Sequence, residues 1–158
     1  METTTQKLTV QSPSFGHNGH IPVQYTCEGD NINPSIEISD IPGNTKTLAL
    51  IMEDPDAPSG IFVHWLMWNF LPSEPITERS NLGVSGINDF GKTGYGGPCP
   101  PSGTHRYFFK IYALDKELSV TAGESKNALL ECMEGHILAT GELMGRYRKG
   151  SVKNKSSL

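Results

Sequence analysis

The chain is short of cysteine, of basic charge and of long apolar runs, and each shortage excludes a class of protein. Cys27, Cys99 and Cys132 are its three cysteines, widely spaced and without a C-x-x-C pair. An odd, scattered set builds neither a zinc knuckle nor a disulfide frame; it predicts three free thiols in a reducing compartment. No apolar stretch approaches the length of a membrane span, and Met1-Glu-Thr-Thr-Thr-Gln-Lys7 contains no targeting core. A cytoplasmic protein with no stable membrane insertion is the expectation. Thirteen Lys and Arg stand against 17 Asp and Glu, a net charge of −4, and this excludes a general nucleic-acid binder. Helical periodicity is nearly missing as well. Only Ala128, Leu129, Cys132 and Met133 form an apolar face at helical spacing, with Ser125 as N-cap and Gly135 beyond the end.

What the chain does have is glycine and proline, 17 and 11 in 158 residues. They punctuate short apolar or alternating runs, the pattern of a loop-rich β protein. Leu8 and Val10 alternate with polar neighbours, as do Val23 to Cys27 and Ile36 with Ile38. Thr47 to Met52 and Ile61 to Phe70 are apolar on both faces and predict central strands. Arg106 to Leu114 and Ile137 to Tyr147 complete the set, while Ser73 to Gly91 is the longest irregular connection. One mainly β domain over 1–148, with one short helix near the C-terminus, follows. Residues 149–158 form a basic tail: five basic residues and no acid lie beyond Leu143, most simply a solubilising, frayed end.

The chemistry concentrates in two stretches. Ile51-Met-Glu-Asp-Pro-Asp-Ala-Pro-Ser59 precedes His64-Trp65; Gly94-Tyr-Gly-Gly-Pro-Cys-Pro-Pro-Ser-Gly-Thr-His-Arg-Tyr107 carries the second histidine. In extended backbone Asp54 and Asp56 would share a side, with Pro55 biasing the geometry. Two such carboxylates call for donors between them, and His64 and His105 supply them. A carboxylate beside an imidazole favours the protonated ring, which donates twice and grips an anion. Main-chain N–H groups of Gly94, Gly96 and Gly97 would add an anion cradle, with Pro98, Pro100 and Pro101 as a stiff wall and Tyr95 and Tyr107 as polar-tipped faces. Arg106 points away from His105 on an alternating strand and is read as the structural partner of a buried carboxylate. His17 and His20 are read as exposed loop histidines.

Other readings compete. Two Asp and two His also make a divalent-metal set, but their spacing matches no specific metal motif. Ser59 or Ser102 with His105 and an Asp sketches a hydrolase triad, without a G-x-S-x-G elbow.

Together D-P-D-A-P, the H-W that follows, and G-Y-G-G-P-x-P-P-x-G-T-H-R-Y-F-F resemble the phosphatidylethanolamine-binding protein family, in its bacterial and archaeal Raf kinase inhibitor-like branch. The likeness runs from Val23-Gln-Tyr-Thr-Cys-Glu-Gly through Asp89-Phe-Gly-Lys-Thr-Gly to Gly135-His-Ile. It implies a two-sheet β-sandwich whose small pocket binds an anion such as phosphate or a phospholipid headgroup. It assigns Asp54, Asp56, His64 and His105 to that pocket, with Gly97, Pro101 and Tyr107 in its wall and a cis peptide at Ala57–Pro58. It implies a binding protein rather than an enzyme, with no cofactor, that modulates a kinase or protease partner. The helix that borders the pocket in animal members is replaced by a strand and the basic tail. That change predicts a more open pocket, or one closed by a second subunit in a homodimer.

Overall fold

The computed structural model describes residues 5–150. Nine strands and one α-helix follow in order: β1 (Gln6–Lys7), β2 (Thr9–Gln11), β3 (Gly19–His20), β4 (Glu37–Ser39), β5 (Thr47–Asp54), β6 (Phe62–Phe70), β7 (Val84–Ser85), β8 (Thr104–Leu114), α1 (Lys126–Met133) and β9 (Ile137–Arg148). The main sheet has the order β1-β9-β8-β5-β6-β7, with β3 also on β9; β2 and β4 form a small second sheet. The β5–β6, β5–β8 and β8–β9 pairs are antiparallel, whereas β1 and β3 lie parallel to β9.

Every residue of β5 is buried, because both faces of its strand are covered. Leu48, Leu50 and Met52 join Phe109 and Ile111 of β8 under the small sheet, where Val10 and Ile36 close the layer. Ala49 and Ile51 face the other way, with Leu66, Trp68 and the α1 residues Leu129 and Met133. The result is a lopsided sandwich: a small sheet on one face of a large one and a helix on the other. The helix is capped as its sequence predicts. The Ser125 side chain accepts from the Ala128 N–H, and Gly135 takes a positive φ of 82° past the end.

Three expectations are corrected. Val23 to Cys27 is no strand; Val23–Tyr25 is a 3-10 turn after Pro22, whose φ of −59° suits a helical start. Its buried member is Tyr25 alone, so the alternation had no second strand to serve. The thiols are not all free either: Cys27 and Cys99 form a disulfide, and Cys132 is the free, exposed one. They are 72 residues apart in sequence, yet the loops that carry them are already bonded, Cys27 N–H to the Pro98 carbonyl and Gly97 N–H to Asn31 Oδ1. Finally, no peptide bond among the described residues is cis, so Ala57–Pro58 is trans.

The basic tail lies mostly outside the described residues; β9 runs to Arg148, and Lys149 and Gly150 form a turn. No helix among the described residues is long and apolar enough to cross a membrane.

Candidate functional site

Strand alternation delivers the polar groups. The row Leu48, Leu50, Met52 continues to Asp54 at the end of β5, and on β8 the row Ile111, Phe109, Tyr107 continues to His105. On β6 the pairing skips: Met52 faces Trp65 and Glu53 faces Val63. His64 is therefore the extra residue of a β-bulge, a device that re-aims one side chain. All three strands thus end at one cavity of about 230 Å³.

The polar groups of that cavity are Asp54, His64, His105, Tyr107 and Ser59. His105 Nδ1 donates to Asp54 Oδ2 at 2.6 Å, with both residues buried. His64 Nδ1 donates to the Gly96 carbonyl at 2.7 Å, since a carbonyl only accepts. Each ring keeps Nε2 as its remaining hydrogen-bonding atom. Burial pulls the His64 imidazole below its ordinary value, and it outweighs the opposing pull of the Gly96 carbonyl and the Asp54 and Asp89 charges. His64 is thus neutral at neutral pH, against the sequence expectation of a ring held protonated by carboxylates. Desolvation is the stronger effect here.

Tyr107 is fully buried, and its hydroxyl has no hydrogen-bond partner within the protein. The Cys99 amide and the Asp54 carboxylate approach without closing a bond. Burial, reinforced by the Asp54 charge, pushes the phenol far above its ordinary value, so the group is a permanent neutral donor. An unpaired buried hydroxyl is costly and uncommon in folded proteins.

Two of the predicted site residues stand elsewhere. Asp54 Oδ1 accepts the Asp56 N–H at 2.7 Å, which turns the chain out of extended geometry and separates the two carboxylates. Asp56 instead holds Arg106: Oδ2 accepts from the Arg106 main-chain N–H and Nε, and Oδ1 from Nη2 at 2.8 Å. This ion pair depresses the Asp56 carboxyl below its ordinary value. Arg106 has its structural carboxylate, but a partly exposed one. Gly97 packs against the Tyr25 carbonyl with no room for a Cβ, behind the wall rather than in it.

The glycine cradle is likewise committed inward. The Gly94 N–H goes to Gly86, Gly96 to His64 and Gly97 to Asn31. Tyr95 donates to the Tyr25 carbonyl and its ring packs on Trp65. His17 is exposed, and its Nδ1 accepts the Met144 N–H. Among the described residues no three His, Cys, Asp or Glu side chains are arranged to hold a metal ion.

Pro101, Pro100 and Cys99 form one wall, with Ala57 and Pro58 also lining the cavity. The residues that sequence reasoning missed are Phe62 and Phe90. Phe62 precedes His64 by one strand repeat, and Phe90 is an aromatic in a Gly-rich loop; both signals were local and available.

Fold and pocket together define a β-sandwich with one small, polar-floored cavity at the end of its central strands. The chain belongs to the phosphatidylethanolamine-binding protein family: the model of that family matches residues 11–148. Similar chains include a UPF0098 protein of Methanothermobacter thermautotrophicus, 46% identical over 90% of this chain and 100% of the relative. A UPF0098 protein of Chlamydia muridarum is 45% identical over 90% and 99%. Among solved structures, the phosphatidylethanolamine-binding protein homolog CT736 of Chlamydia trachomatis superposes with a TM-score of 0.87 at 42% identity, covering 92% of this chain and 99% of its own. E. coli YbcL, described as a member of the mammalian family, gives 0.82 at 29%, covering 90% and 98%. Membership is that of a binding-type protein.

Proposed function

We propose that this protein binds a small oxyanion, a phosphate or a phosphorylethanolamine-like group, and that occupancy of the pocket regulates a protein partner such as a kinase or protease. The observation that carries the reading is the Tyr107 hydroxyl, fully buried and without a partner in the protein. A ligand oxygen would satisfy it. The Nε2 atoms of His64 and His105 are two further polar groups at the same cavity, and Asp54 orients His105. The Asp54 charge also makes room for a ligand that brings its own ammonium group. The cytoplasmic assignment loses its thiol argument, because a Cys27–Cys99 disulfide is favoured in oxidising surroundings.

Calorimetric titration of phosphorylethanolamine into metal-free protein tests the reading. Binding by wild type and its loss in His64→Ala/His105→Ala is the expected result; equal binding by both proteins places the anion elsewhere.

A second reading keeps the pocket but makes it a hydrolase. It is favoured by the 2.6 Å Asp54–His105 contact, the orientation a general base requires, with Ser59 in the same cavity. Release of p-nitrophenol from p-nitrophenyl acetate or phosphate, abolished by His105→Ala, would establish it.

A further inference from the structure

The mouth of the pocket has chemistry of its own. Phe90 is 44% exposed and lines the cavity. The loop beneath it is tied at both ends. Asn88 is buried, and its Oδ1 accepts the N–H groups of Phe90 and Lys92 while its Nδ2 donates to the Gly94 carbonyl. Asp89 exchanges two hydrogen bonds with Val63 of β6, through its main-chain N–H and its Oδ2.

The ring is held at the edge of the cavity by ring contacts while part of it stays in solvent. It meets Phe62 edge to face at 4.8 Å and His64 at 5.3 Å, at interplanar angles of 67° and 76°. Gly96 makes this placement feasible, because a Cβ there would come within 2.5 Å of the Phe90 ring. Pro58, Pro100 and Pro101 also line the cavity. A polar floor is therefore capped by a preset aromatic collar.

The volume points the same way. A water claims about 30 Å³ of the liquid, so the 230 Å³ cavity has several times the space that a lone tetrahedral anion fills. It is also too small to enclose a long acyl chain. Edge-to-face rings present both a π-face and a positive edge, which complement a further aromatic ring and give an alkyl group no such advantage.

We propose that the pocket selects oxyanions borne on a flat aromatic ring, an aryl phosphate or aryl carboxylate, with Phe90 and Phe62 as the specificity-determining residues. This rests on the oxyanion reading of the pocket floor. The anionic end reaches Tyr107 and the histidines, and the ring lies among Phe62, Phe90 and the prolines.

The test is calorimetric, on wild type, Phe90→Ala and Phe90→Leu, with folding checked by circular dichroism. Phenyl phosphate is compared with inorganic phosphate and phosphorylethanolamine, and benzoate with acetate; the headgroup series that responds separates phosphate from carboxylate chemistry. The expected result is an aryl preference of about tenfold in wild type, the scale of two ring contacts. Both variants should lose that preference, read within each protein as the ratio of phenyl phosphate to inorganic phosphate affinity. Phenyl phosphate binding no tighter than phosphorylethanolamine, or a preference undiminished in both variants, overturns the aryl assignment and leaves the oxyanion site standing. No binding of any of these anions to wild type removes both.

Discussion

At the scale of single residues, two groups of the pocket, His64 and Tyr107, have their protonation settled by burial. His64 is the clearest case, since its environment opposes charge even with Asp54 nearby. NMR titration should give His64 a midpoint below the ordinary histidine value of about 6.5. The sign for stability follows. The unfolded chain takes up a proton near that value and the folded chain only at lower pH, so His64 stabilises fully above it. That contribution is lost as pH falls toward the folded value. Urea midpoints compared at pH 7 and pH 5 should drop for wild type, and drop less for His64→Gln. Tyr107 makes the opposite kind of prediction. Removing its unpaired hydroxyl in Tyr107→Phe should leave thermal stability unchanged or raise it, by up to about 1–3 kcal/mol. A fall in melting temperature would show that the hydroxyl has a structural partner.

At the scale of elements, β5 is anchored by an ion network on the face opposite the pocket. Glu53 is buried and accepts from Lys110 at 2.8 Å and Lys126 at 2.5 Å, tying β8 and α1 to the central strand. Burial alone would raise its carboxyl; the two lysine bonds override that and set it below the ordinary value. Its contribution is therefore present above the unfolded value of about 4.3 and lost as pH falls through the lower folded one. Glu53→Gln should cost about 1–3 kcal/mol in urea unfolding at pH 7, with a smaller difference at pH 3. The disulfide joins two loops in a comparable way. By chain entropy, a 72-residue separation is worth roughly 4 kcal/mol. Cys27→Ser/Cys99→Ser should lose about that much, while the Cys27–Pro98 and Gly97–Asn31 hydrogen bonds keep the pocket wall in place. Denaturant melts and phosphate titration of that variant check both halves.

At the scale of the whole molecule, the legible features were those written locally. β5, β8 and β9 announced themselves as apolar or alternating runs, and Ser125 and Gly135 bracketed the helix. The Asp54, His64 and His105 cluster was legible because each residue abuts such a run. What sequence could not carry was the partner of each group. Asp56 looked equivalent to Asp54 until the Asp54 side chain turned the chain and Arg106 claimed its neighbour. The glycines looked like a cradle because their N–H groups had no visible acceptors; His64, Asn31 and Gly86 supply them from distant segments. The bulge at His64 exists only in the pairing of β5 with β6. The Cys27–Cys99 bond exists only once the 3-10 turn and the Pro-rich loop are packed together. The Arg106, glycine, bulge and disulfide misses are long-range contacts; the Asp54–Asp56 turn and the Phe62 and Phe90 rings were local.

The central claim is that the buried Tyr107 hydroxyl waits for a ligand oxygen. Titration of inorganic phosphate into wild type and Tyr107→Phe, at neutral pH and without metal, tests it most directly. The account predicts that Tyr107→Phe stays folded and binds phosphate about tenfold more weakly, as expected for one lost hydrogen bond to a charged group. Phosphate affinity equal in the two proteins would contradict it.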